Sequence, residues 1–371
     1  MKAVIIGAGV AGLSIGWRLR QMGVEVTILE RAQAARGATW ASAGMIAATA
    51  ELGEAQTPET ALAYRARAVW PEFAREIEYA SGIAIGYSED GSLIVAADSS
   101  QADAFARRAL ADPDLEFLSA EEVRSKVPML APCIGALWAP KEAHVDNRAL
   151  GRALACAFVR TKGNLVLNET VVRIAVNGNR AVAALTPAGL YEADVFILAA
   201  GAWSGLIDGL PPYAVPAVEP VKGEMLSLVP LQGAMPPACV IWGNGVYFVP
   251  RGEALLVGAT LEDAGFDTRT TAAARDWLSS RAVALMPGVK DWRIAEHWAG
   301  LRPGSPDDLP LLGPSGVEGL LIASGQYRNG ILFAPAVAEI LSGLVLGRTT
   351  DVAAFDPRRF SGSLASPRKV R

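Results

Sequence analysis

The sequence predicts an α/β fold in which a parallel sheet carries an inserted, mainly antiparallel second sheet. The first observation is a strand–turn–helix–strand pattern in the first thirty residues, which is typical of the start of a parallel sheet. The second is a change to alternating strands and turns from Val221 to Leu301, after which a buried strand and a long apolar helix follow. At 371 residues the chain is also longer than one simple core usually supports, so we expect two units.

The N-terminal pattern joins a short apolar strand to a glycine-rich turn. Val4 to Ile6 is the strand, Gly7 to Gly12 has the spacing G-x-G-x-x-G, and Leu13 to Arg20 is helical. A second strand, Val24 to Leu29, ends at Glu30, roughly twenty residues after the turn, where a carboxylate can accept hydrogen bonds from ribose hydroxyls. A glycine-rich turn of an ordinary α/β protein is the alternative. The complete order of strand, turn, helix and acid favours a Rossmann-type dinucleotide-binding site.

Each glycine of the turn has a distinct predicted role. Gly7 allows the tight turn at the end of the strand, Gly9 lets the backbone approach a pyrophosphate, and Gly12 lets the helix pack close to the sheet. The helix N-terminus then presents free N–H groups and a positive dipole end to the phosphates.

Apolar periodicity and turn residues predict further elements up to the middle of the chain. Residues 31–40 form a polar loop, and the small residues at 41–46 permit close approach to a cofactor, although a plain loop would look similar. Helices are predicted over Thr60–Tyr79, Ala120–Lys126 and Asn147–Lys162. Strands are predicted over Tyr87–Ala96, Gly135–Ala139 and Leu165–Arg173, and a small meander over Arg180–Leu185 and Tyr191–Glu192.

The second half contains a buried strand, the antiparallel region and a C-terminal helix. Asp194–Ala200 is continuously apolar after its first residue and ends in a glycine-containing turn at 201–204, the position at which open α/β sheets bind ligands. Four prolines between Pro211 and Pro220 indicate a linker. The remaining predicted elements are the strands Val221–Leu228, Val246–Pro250, Ala254–Ala259, Trp292–Leu301 and Gly319–Ala323, the helices Thr271–Leu285 and Ile331–Leu346, and a polar tail, Ser361–Arg371, that is expected to fray.

The composition narrows the functional classes. Hydrophobic residues make up 51% of the chain and charged residues 19%, so a large buried core is available. The net charge of −4 gives no reason to expect nucleic acid or an anionic membrane as a partner. With two histidines and three widely spaced cysteines, we expect neither a metal site nor a disulfide framework. The absence of a secretory signal and of a run of roughly eighteen apolar residues predicts a soluble, cytoplasmic protein without a membrane span.

Three polar residues are candidates for substrate binding. Arg302 ends a predicted strand and is followed by Pro303, which suits bidentate recognition of a carboxylate, but a surface arginine in a turn is an equal alternative on sequence alone. Arg328 lies beside the N-terminus of the last helix, where a plain strand-to-helix turn would look the same. Tyr247 is an amphipathic aromatic residue on a strand, for which cross-strand packing is the commoner role.

These segments together resemble a known family. The chain is similar to the FAD-dependent amine oxidases of the D-amino-acid oxidase group, and in particular to the glycine oxidases of thiamine biosynthesis. The Gly-Leu-Arg-Pro element is shared by the wider family, whereas the Val-Lys-Gly-Glu and Arg-Asn-Gly-Ile stretches are typical of glycine oxidases. The similar stretches span nearly the whole chain and are Gly7–Gly12, Ser42–Met45, Val221–Glu224, Tyr247–Arg251, Gly258–Thr260, Gly300–Gly304 and Arg328–Ile331.

The pattern and the resemblance together predict a Rossmann-type FAD-binding domain with an inserted, mainly antiparallel β-sheet (α+β) substrate domain. The expected FAD-binding domain is discontinuous and comprises residues 1–85, 146–215 and 303–371, and the substrate domain comprises residues 86–145 and 216–302. The resemblance implies that Arg302 and Tyr247 bind the substrate carboxylate with the assistance of Arg328. The motif and the resemblance assign to the cofactor Gly7, Ala8, Gly9, Val10, Ala11, Gly12, Glu30, Arg31, Ser42, Ala43, Gly44, Met45, Val172, Ala200, Gly201, Trp203, Arg328, Asn329, Gly330 and Ile331.

The FAD is expected to be non-covalent, because relatives with covalent flavin carry a cysteine where Gly300 stands. The implied reaction is the oxidation of a small primary or secondary amino acid (glycine, sarcosine or D-alanine) to the 2-oxo acid, ammonia or an amine, and hydrogen peroxide, with dioxygen as the acceptor. Two alternatives stay open. One is a D-amino-acid dehydrogenase or a cyanide-forming glycine dehydrogenase with another acceptor, and the other is a non-catalytic dinucleotide-binding sensor. The sequence also leaves open whether the chain forms a homo-oligomer.

Overall fold

The computed structural model describes residues 1–53, 56–231 and 234–360, so the predicted fraying of Ser361–Arg371 lies outside the described residues. Within the described ranges, no helix is long and apolar enough to cross a membrane. The α-helices are α1 (Val10–Gln21), α2 (Ala38–Ala41), α3 (Ala48–Leu52), α4 (Pro58–Ser81), α5 (Ser99–Ala111), α6 (Ala120–Lys126), α7 (Asn147–Arg160), α8 (Ala272–Leu285) and α9 (Gly330–Val345).

The strands follow the chain in short segments, most of them four to seven residues long. They are β1 (Lys2–Ile6), β2 (Glu25–Glu30), β3 (Met45–Ile46), β4 (Ser92–Val95), β5 (Glu116–Ser119), β6 (Gly135–Ala139), β7 (Ala143–His144), β8 (Asn164–Leu167), β9 (Arg173–Asn177), β10 (Arg180–Thr186), β11 (Gly189–Glu192), β12 (Val195–Leu198), β13 (Glu219–Val229), β14 (Val240–Gly243), β15 (Val246–Arg251), β16 (Ala254–Gly258), β17 (Arg293–Gly304), β18 (Leu311–Pro314) and β19 (Leu320–Ser324).

The first sheet has six strands in the order β18-β19-β12-β1-β2-β8. Neighbouring strands run parallel except at the edge, where β18 is antiparallel to β19. Its strands come from the start, the middle and the end of the chain, so the chain leaves this sheet three times and returns to it three times. The predicted α/β fold with a Rossmann-type parallel sheet is confirmed.

Both faces of the parallel sheet are covered, which explains why its strands are mainly apolar. On one face α1, α4, α7 and α9 form a single buried cluster that includes Leu13, Trp70, Phe158 and Phe333. The three-stranded sheet β11-β10-β9 covers the other face, where it contributes residues such as Ile174 to a second cluster.

The second sheet has eight strands in the order β17-β13-β16-β15-β14-β4-β6-β5. Its pairings are antiparallel except between β14 and β4, so the sheet is mainly antiparallel as predicted. One face packs against α8 through Leu278 in a cluster with Leu226 and Phe248. The other face carries Met225, Tyr247 and further apolar residues that pack against the loop before β3.

Two predicted strands have wrong boundaries. The strand predicted over Tyr87–Ala96 is limited to Ser92–Val95, because Gly91 has a left-handed φ of +76° just before it. The strand predicted over Leu165–Arg173 ends at Leu167, where Asn168 turns the chain with a φ of +57°. The next strand starts at Arg173 and belongs to the three-stranded sheet.

Several short elements were not predicted: α2, α3, α5, β5, β14 and β18. β14 and β18 are only four residues each, and they exist through pairing with strands that are distant in sequence. α5 contains two buried residues, Ala102 and Phe105, which is too weak a pattern to predict a helix from periodicity.

Candidate cofactor and substrate site

A cavity of about 990 Å³ lies between the carboxyl ends of the parallel strands and the second sheet. This volume is at the upper end of the range of about 300–1,000 Å³ that is usual for ligand pockets. The ends of β1, β2, β12 and β19 contribute Ile6, Leu29, Ala199 and Ala323 to its wall. Ligands bind at this edge in open α/β sheets, so the cavity occupies the position that the sequence predicted.

Most of the predicted site residues line this cavity. They are Gly7, Gly9, Val10, Ala11, Glu30, Arg31, Ser42, Ala43, Gly44, Met45, Val172, Ala200, Gly201, Trp203, Tyr247, Arg302, Arg328, Asn329, Gly330 and Ile331. Ala8 and Gly12 lie outside the lining. Ala8 is fully buried and its N–H donates to the Glu30 carboxylate at 2.8 Å. A Cβ at Gly12 would overlap the carbonyl oxygen of Gly7. Ala8 and Gly12 therefore contribute to the conformation of the turn without lining the cavity.

The turn itself is built around Gly7 and Glu30. Gly7 has a φ of +107°, and a Cβ there would lie 2.5 Å from the carbonyl oxygen of Ala199, the residue that follows β12. The Glu30 carboxylate accepts from the N–H of Ala32 at 3.1 Å in addition to that of Ala8, which ties the end of β2 to the turn.

The rim of the cavity at the end of β2 carries a stack of side chains. The Arg31 guanidinium lies 3.6 Å from the ring centroid of Trp203, whose ring is 5.6 Å from that of Phe266. Phe266 comes from the loop after β16, so a residue of the second sheet's connections reaches this end of the cavity. Val172 is 47% exposed. Its N–H donates to the carbonyl oxygen of Leu185 and its carbonyl oxygen accepts from the N–H of Asp208, so only its side chain is available to contact a ligand.

The small-residue loop before β3 is fixed by the second sheet. Arg251 on β15 donates to the carbonyl oxygens of Ala43 at 2.8 Å and Val145 at 3.0 Å. Trp298 on β17 donates from its indole N–H to the carbonyl oxygen of Ala41 at 3.0 Å. A Cβ at Gly300 would overlap the Cβ of Ala41, so the two chains are in direct contact at that point.

Tyr247, Arg302 and Arg328 meet at the other end of the cavity. They also line a second, smaller cavity of about 310 Å³, whose wall includes Trp242 and Leu261. The three residues come from β15, β17 and the turn before α9, so the fold brings together positions that are distant in sequence. These are the three residues that the sequence indicated as candidates for substrate binding, and all three line both cavities.

Arg302 is half-buried, and its guanidinium bonds to backbone carbonyl oxygens and to the side chain of Tyr247. Nη1 donates to the carbonyl oxygen of Thr260 at 3.3 Å, and Lys222 O lies 3.5 Å away. In the part of the chain that the structure describes, no carboxylate lies within ion-pair distance of Arg302. A desolvated guanidinium without a counter-ion favours an anionic ligand.

Tyr247 is 7% exposed and remains a hydrogen-bond donor. Burial raises the pKa of Tyr247, although the positive charges of Arg302 and Arg328 act in the opposite direction. Its hydroxyl lies 3.8 Å from the Sδ atom of Met225, which is a weak acceptor. The phenol therefore stays protonated and can donate to a carboxylate beside Arg302.

Arg328 differs from Arg302 because it is paired. Its Nε lies 3.0 Å from Oε2 of Glu51, whose side chain is 7% exposed. The Glu51 charge raises the pKa of Arg328, while burial raises the pKa of Glu51 against the effect of Arg328 and Arg302. The short helix α3 that carries Glu51 is held by the buried Glu142 carboxylate, which accepts from the backbone N–H groups of Thr49 and Ala50.

The residues around the cavity fit a flavin dinucleotide. The turn leaves room for phosphates at the start of α1, and Gly330, the first residue of α9, lines the same cavity. Gln326 is 5% exposed, and its Nε2 atom has no hydrogen-bond partner among the described residues. A buried amide with a free donor in a cavity wall is expected to bond to a ligand acceptor, as a flavin ring provides.

The sequence interpretation missed three residues of this site: Glu51, Arg251 and Gln326. Glu51 and Arg251 act through contacts with Arg328 and with the loop before β3, which no local pattern predicts. Gln326 stands two residues before Arg328 in the turn that was singled out, so its polar character next to a buried strand was a usable signal.

Comparison with known proteins gives the same family as the resemblance. The model of the FAD dependent oxidoreductase family (DAO) matches residues 2–344. A glycine oxidase from Pseudomonas aeruginosa is 34% identical over 353 residues, which is 94% of this chain and 95% of that protein. The crystal structure of a glycine oxidase from Geobacillus kaustophilus is similar with a TM-score of 0.89 and 31% identity, covering 96% of this chain and 98% of that one.

A longer relative is also similar. The bifunctional protein ThiO/ThiG from a Synechocystis species is 34% identical over 366 residues, which is 96% of this chain and 54% of that protein. The chain thus spans about half the length of this relative and of the two other bifunctional relatives that resemble it.

The geometry at Gly300 leads to a test of how the flavin is held. Because Gly300 presents no side chain and Ala41 fills the space beside it, we expect the purified protein to be yellow and to release FAD when it is precipitated with acid. Absorbance and chromatography of the supernatant, with the pellet as control, measure this. Flavin that stays in the pellet would contradict non-covalent binding.

Proposed function

The chain belongs to the FAD-dependent oxidoreductase family, and on that premise we propose that it is an amino acid oxidase for glycine and other small amines. The proposed reaction converts glycine, sarcosine or D-alanine to the 2-oxo acid, ammonia or an amine, and hydrogen peroxide, with dioxygen as the acceptor. The names of the relatives support this, since the Pseudomonas protein is a glycine oxidase. Supply of an imine for the thiazole of thiamine is part of the proposal, supported by the ThiO/ThiG relatives.

One observation carries the proposal: Arg302 is an unpaired, half-buried cation beside a protonated phenol at the end of a dinucleotide-sized cavity. Among the described residues, no carboxylate forms an ion pair with Arg302, and the hydroxyl of Tyr247 beside it is a hydrogen-bond donor. An α-carboxylate is a ligand that accepts from a guanidinium and a phenol at the same time. The substrate carboxylate is therefore placed between Arg302 and Tyr247.

Arg328 and Glu51 have a different proposed role from that of Arg302. Arg328 assists the carboxylate from the rim, where its side chain is 41% exposed, while Glu51 holds its Nε. Because Glu51 is turned toward Arg328, its charge is compensated and does not repel the substrate carboxylate. The amine of the substrate then lies on the side of the cofactor cavity.

The chemistry divides between cofactor and chain. Bound FAD supplies the two-electron oxidation of the substrate's Cα–N bond, and dioxygen receives the electrons. The chain binds the carboxylate, orients Cα and excludes water with the apolar walls Met45, Tyr247 and Leu261. The substrate amine loses its own proton to solvent before oxidation, and the imine product is hydrolysed by water outside the pocket.

The domain boundaries and the cellular location are proposed with the function. We assign residues 1–85, 146–215 and 303–371 to FAD binding and residues 86–145 and 216–302 to the substrate side, which agrees with the membership of β4, β6 and β13–β17 in one sheet. The cytoplasm is the proposed location, supported by the composition of the chain.

The proposed function is tested by anaerobic addition of glycine to the purified holoprotein. We expect the flavin absorbance to bleach, and admission of air to restore it with the formation of hydrogen peroxide. Bleaching without peroxide in air would move the assignment to a dehydrogenase with another acceptor. A flavin that no member of a small amine panel bleaches would support the non-catalytic sensor.

The carboxylate role is tested by Arg302→Ala and Arg302→Lys. We expect the alanine variant to raise the KM for glycine by an amount equivalent to about 2–5 kcal/mol at unchanged flavin content, because the ligand charge is left without its partner. Lysine should rescue only in part, since a point charge lacks the planar fork. Arg65→Ala, which breaks an exposed ion pair with Glu339, is the matched control and should keep the wild-type KM. An alanine variant with wild-type kinetics contradicts the assignment.

Substrate size is tested with an amino acid series. We expect glycine and sarcosine to have higher kcat/KM than D-alanine, and D-phenylalanine to react hardly at all, because Met45 lines the larger cavity and Leu261 the smaller one, and Tyr247 lines both. One methylene against a wall is worth about 1–3 kcal/mol, or roughly 10–200-fold.

Leu261→Ala and Met45→Ala should therefore raise kcat/KM for D-alanine more than for glycine. A wild-type preference for D-phenylalanine over glycine would show that these walls do not limit the substrate.

A further inference from the structure

The stretch Lys222-Gly223-Glu224 on β13 has no role in the proposed reaction, yet it lies directly beside Arg302. We propose that Gly223 is a positioning residue for Arg302: its missing side chain leaves the space in which the guanidinium lies flat against β13, and the charged residues on either side hold that strand in place. This inference rests on the proposed function, because it concerns the group that binds the substrate carboxylate.

The space beside Gly223 is filled by the guanidinium of Arg302. A Cβ on Gly223 would lie 2.5 Å from Nη2 and 2.7 Å from Cζ of Arg302, and closer still to Nη1. Real Cβ atoms essentially never come within 3.0 Å of another heavy atom, so an alanine at 223 displaces the guanidinium. The backbone of Gly223 is not in the left-handed region, so the effect of alanine is one of space and not of backbone strain.

Besides the contact of its flat face with Gly223, the guanidinium is held at its edge by hydrogen bonds from Nη1. Nη1 donates to Thr260 O at 3.3 Å, and Lys222 O lies at 3.5 Å. β13 and β17 are antiparallel neighbours, and Gly223 is paired with Gly300, two residues before Arg302. The side chain of Arg302 thus crosses to the neighbouring strand and is seated on its backbone.

The opposite face of β13 carries a buried ionic network. Successive side chains of a strand point to opposite faces, so Lys222 and Glu224 lie on the face away from the guanidinium. The side chains of Lys222 and Glu224 are 3% and 0% exposed. Lys222 Nζ lies 2.8 Å from Oε1 of Glu224 and 3.1 Å from Oε2 of Glu262, and Nε2 of His297 on β17 lies 2.7 Å from the other Glu224 oxygen.

This network stiffens the strand on which the guanidinium rests. Glu224 also accepts from the backbone N–H of Thr271 at 3.0 Å, so it links β13 to the N-terminus of α8. Burial alone would lower the pKa of Lys222, but its bonds to Glu224 and Glu262 raise it overall, so the cation is retained. Because β13 is held by these bonds, it cannot simply move away from a side chain added at Gly223.

Tyr247 rests on a glycine in the same way. Tyr247 is paired with Gly258 on β16, and a Cβ on Gly258 would lie 2.5 Å from Cε2 of the ring. Gly258 is in turn paired with Met225, two residues after Gly223. The two groups that bind the carboxylate therefore both lie over side-chain-free positions of neighbouring strands.

The test is Gly223→Ala in the holoenzyme. Acetate is the probe for the carboxylate site, because it has the carboxylate of glycine and lacks the amine, and its dissociation constant is measured from the change in flavin absorbance. We expect acetate binding and the KM for glycine to weaken by at least about tenfold, the loss of one charge-assisted hydrogen bond, while kcat falls much less and flavin content is unchanged. Wild-type acetate binding and KM in this variant would overturn the inference.

Gly135→Ala is the matched control. Gly135 is a strand glycine of the same sheet without left-handed φ, and its Cβ would lie 2.6 Å from Cζ of Phe117 and 2.8 Å from Leu118 O. It lines neither cavity. The control should keep the wild-type KM and acetate affinity even where its melting temperature falls. An equal rise of KM in both variants would mean that general destabilisation is the cause, and would overturn the inference.

The double variant Arg302→Lys, Gly223→Ala tests the coupling directly. Lysine has none of the atoms that the new Cβ overlaps, so Gly223→Ala should cost little on the Arg302→Lys background. If Gly223→Ala alone loses flavin or fails to fold, recovery of flavin content in the double variant supports the inference, and failure of both overturns it. Wild-type protein that binds no acetate and oxidises no amino acid would instead contradict the proposed function itself.

Discussion

The site depends on one constraint, which is that the half-buried guanidinium of Arg302 forms no ion pair with a carboxylate among the described residues. A partly buried guanidinium needs other partners, and here they are the carbonyl oxygens of Thr260 and Lys222, the side chain of Tyr247 and the flat backbone at Gly223. These contacts locate the group without cancelling its charge. The charge is thereby reserved for a ligand.

The two arginines Arg302 and Arg328 differ in whether they form an ion pair with a carboxylate of the protein. Arg328 has Glu51 as a partner at 3.0 Å, whereas Arg302 has none, although both line the same two cavities. A second unpaired cation at this place would add desolvation cost without a second ligand charge to repay it. Of the two arginines that line both cavities, Arg302 is the one without an ion pair among the described residues.

Precise placement of these groups requires the two sheets to be fixed to each other. Arg251 and Trp298 bond to the backbone of the loop before β3, and Arg148 on α7 makes a bidentate ion pair with Glu296 on β17, with both N–O distances 2.9 Å. These contacts join the elements around the parallel sheet to the second sheet beside the cavity. A ligand that spans both sides then meets walls whose separation is set by the protein.

The sequence by itself determined the parallel sheet and the glycine-rich turn at the end of its first strand, because these depend on local periodicity and on glycine positions within a few residues. It also identified Arg302, Tyr247 and Arg328 as a group, through the resemblance of their segments to a family. Only the tertiary structure decided that Arg328 is paired with Glu51 and that Ala8 lies behind the turn. It alone also placed Gly223 under Arg302, since strand pairing brings together residues about eighty positions apart, and no local pattern encodes such a contact.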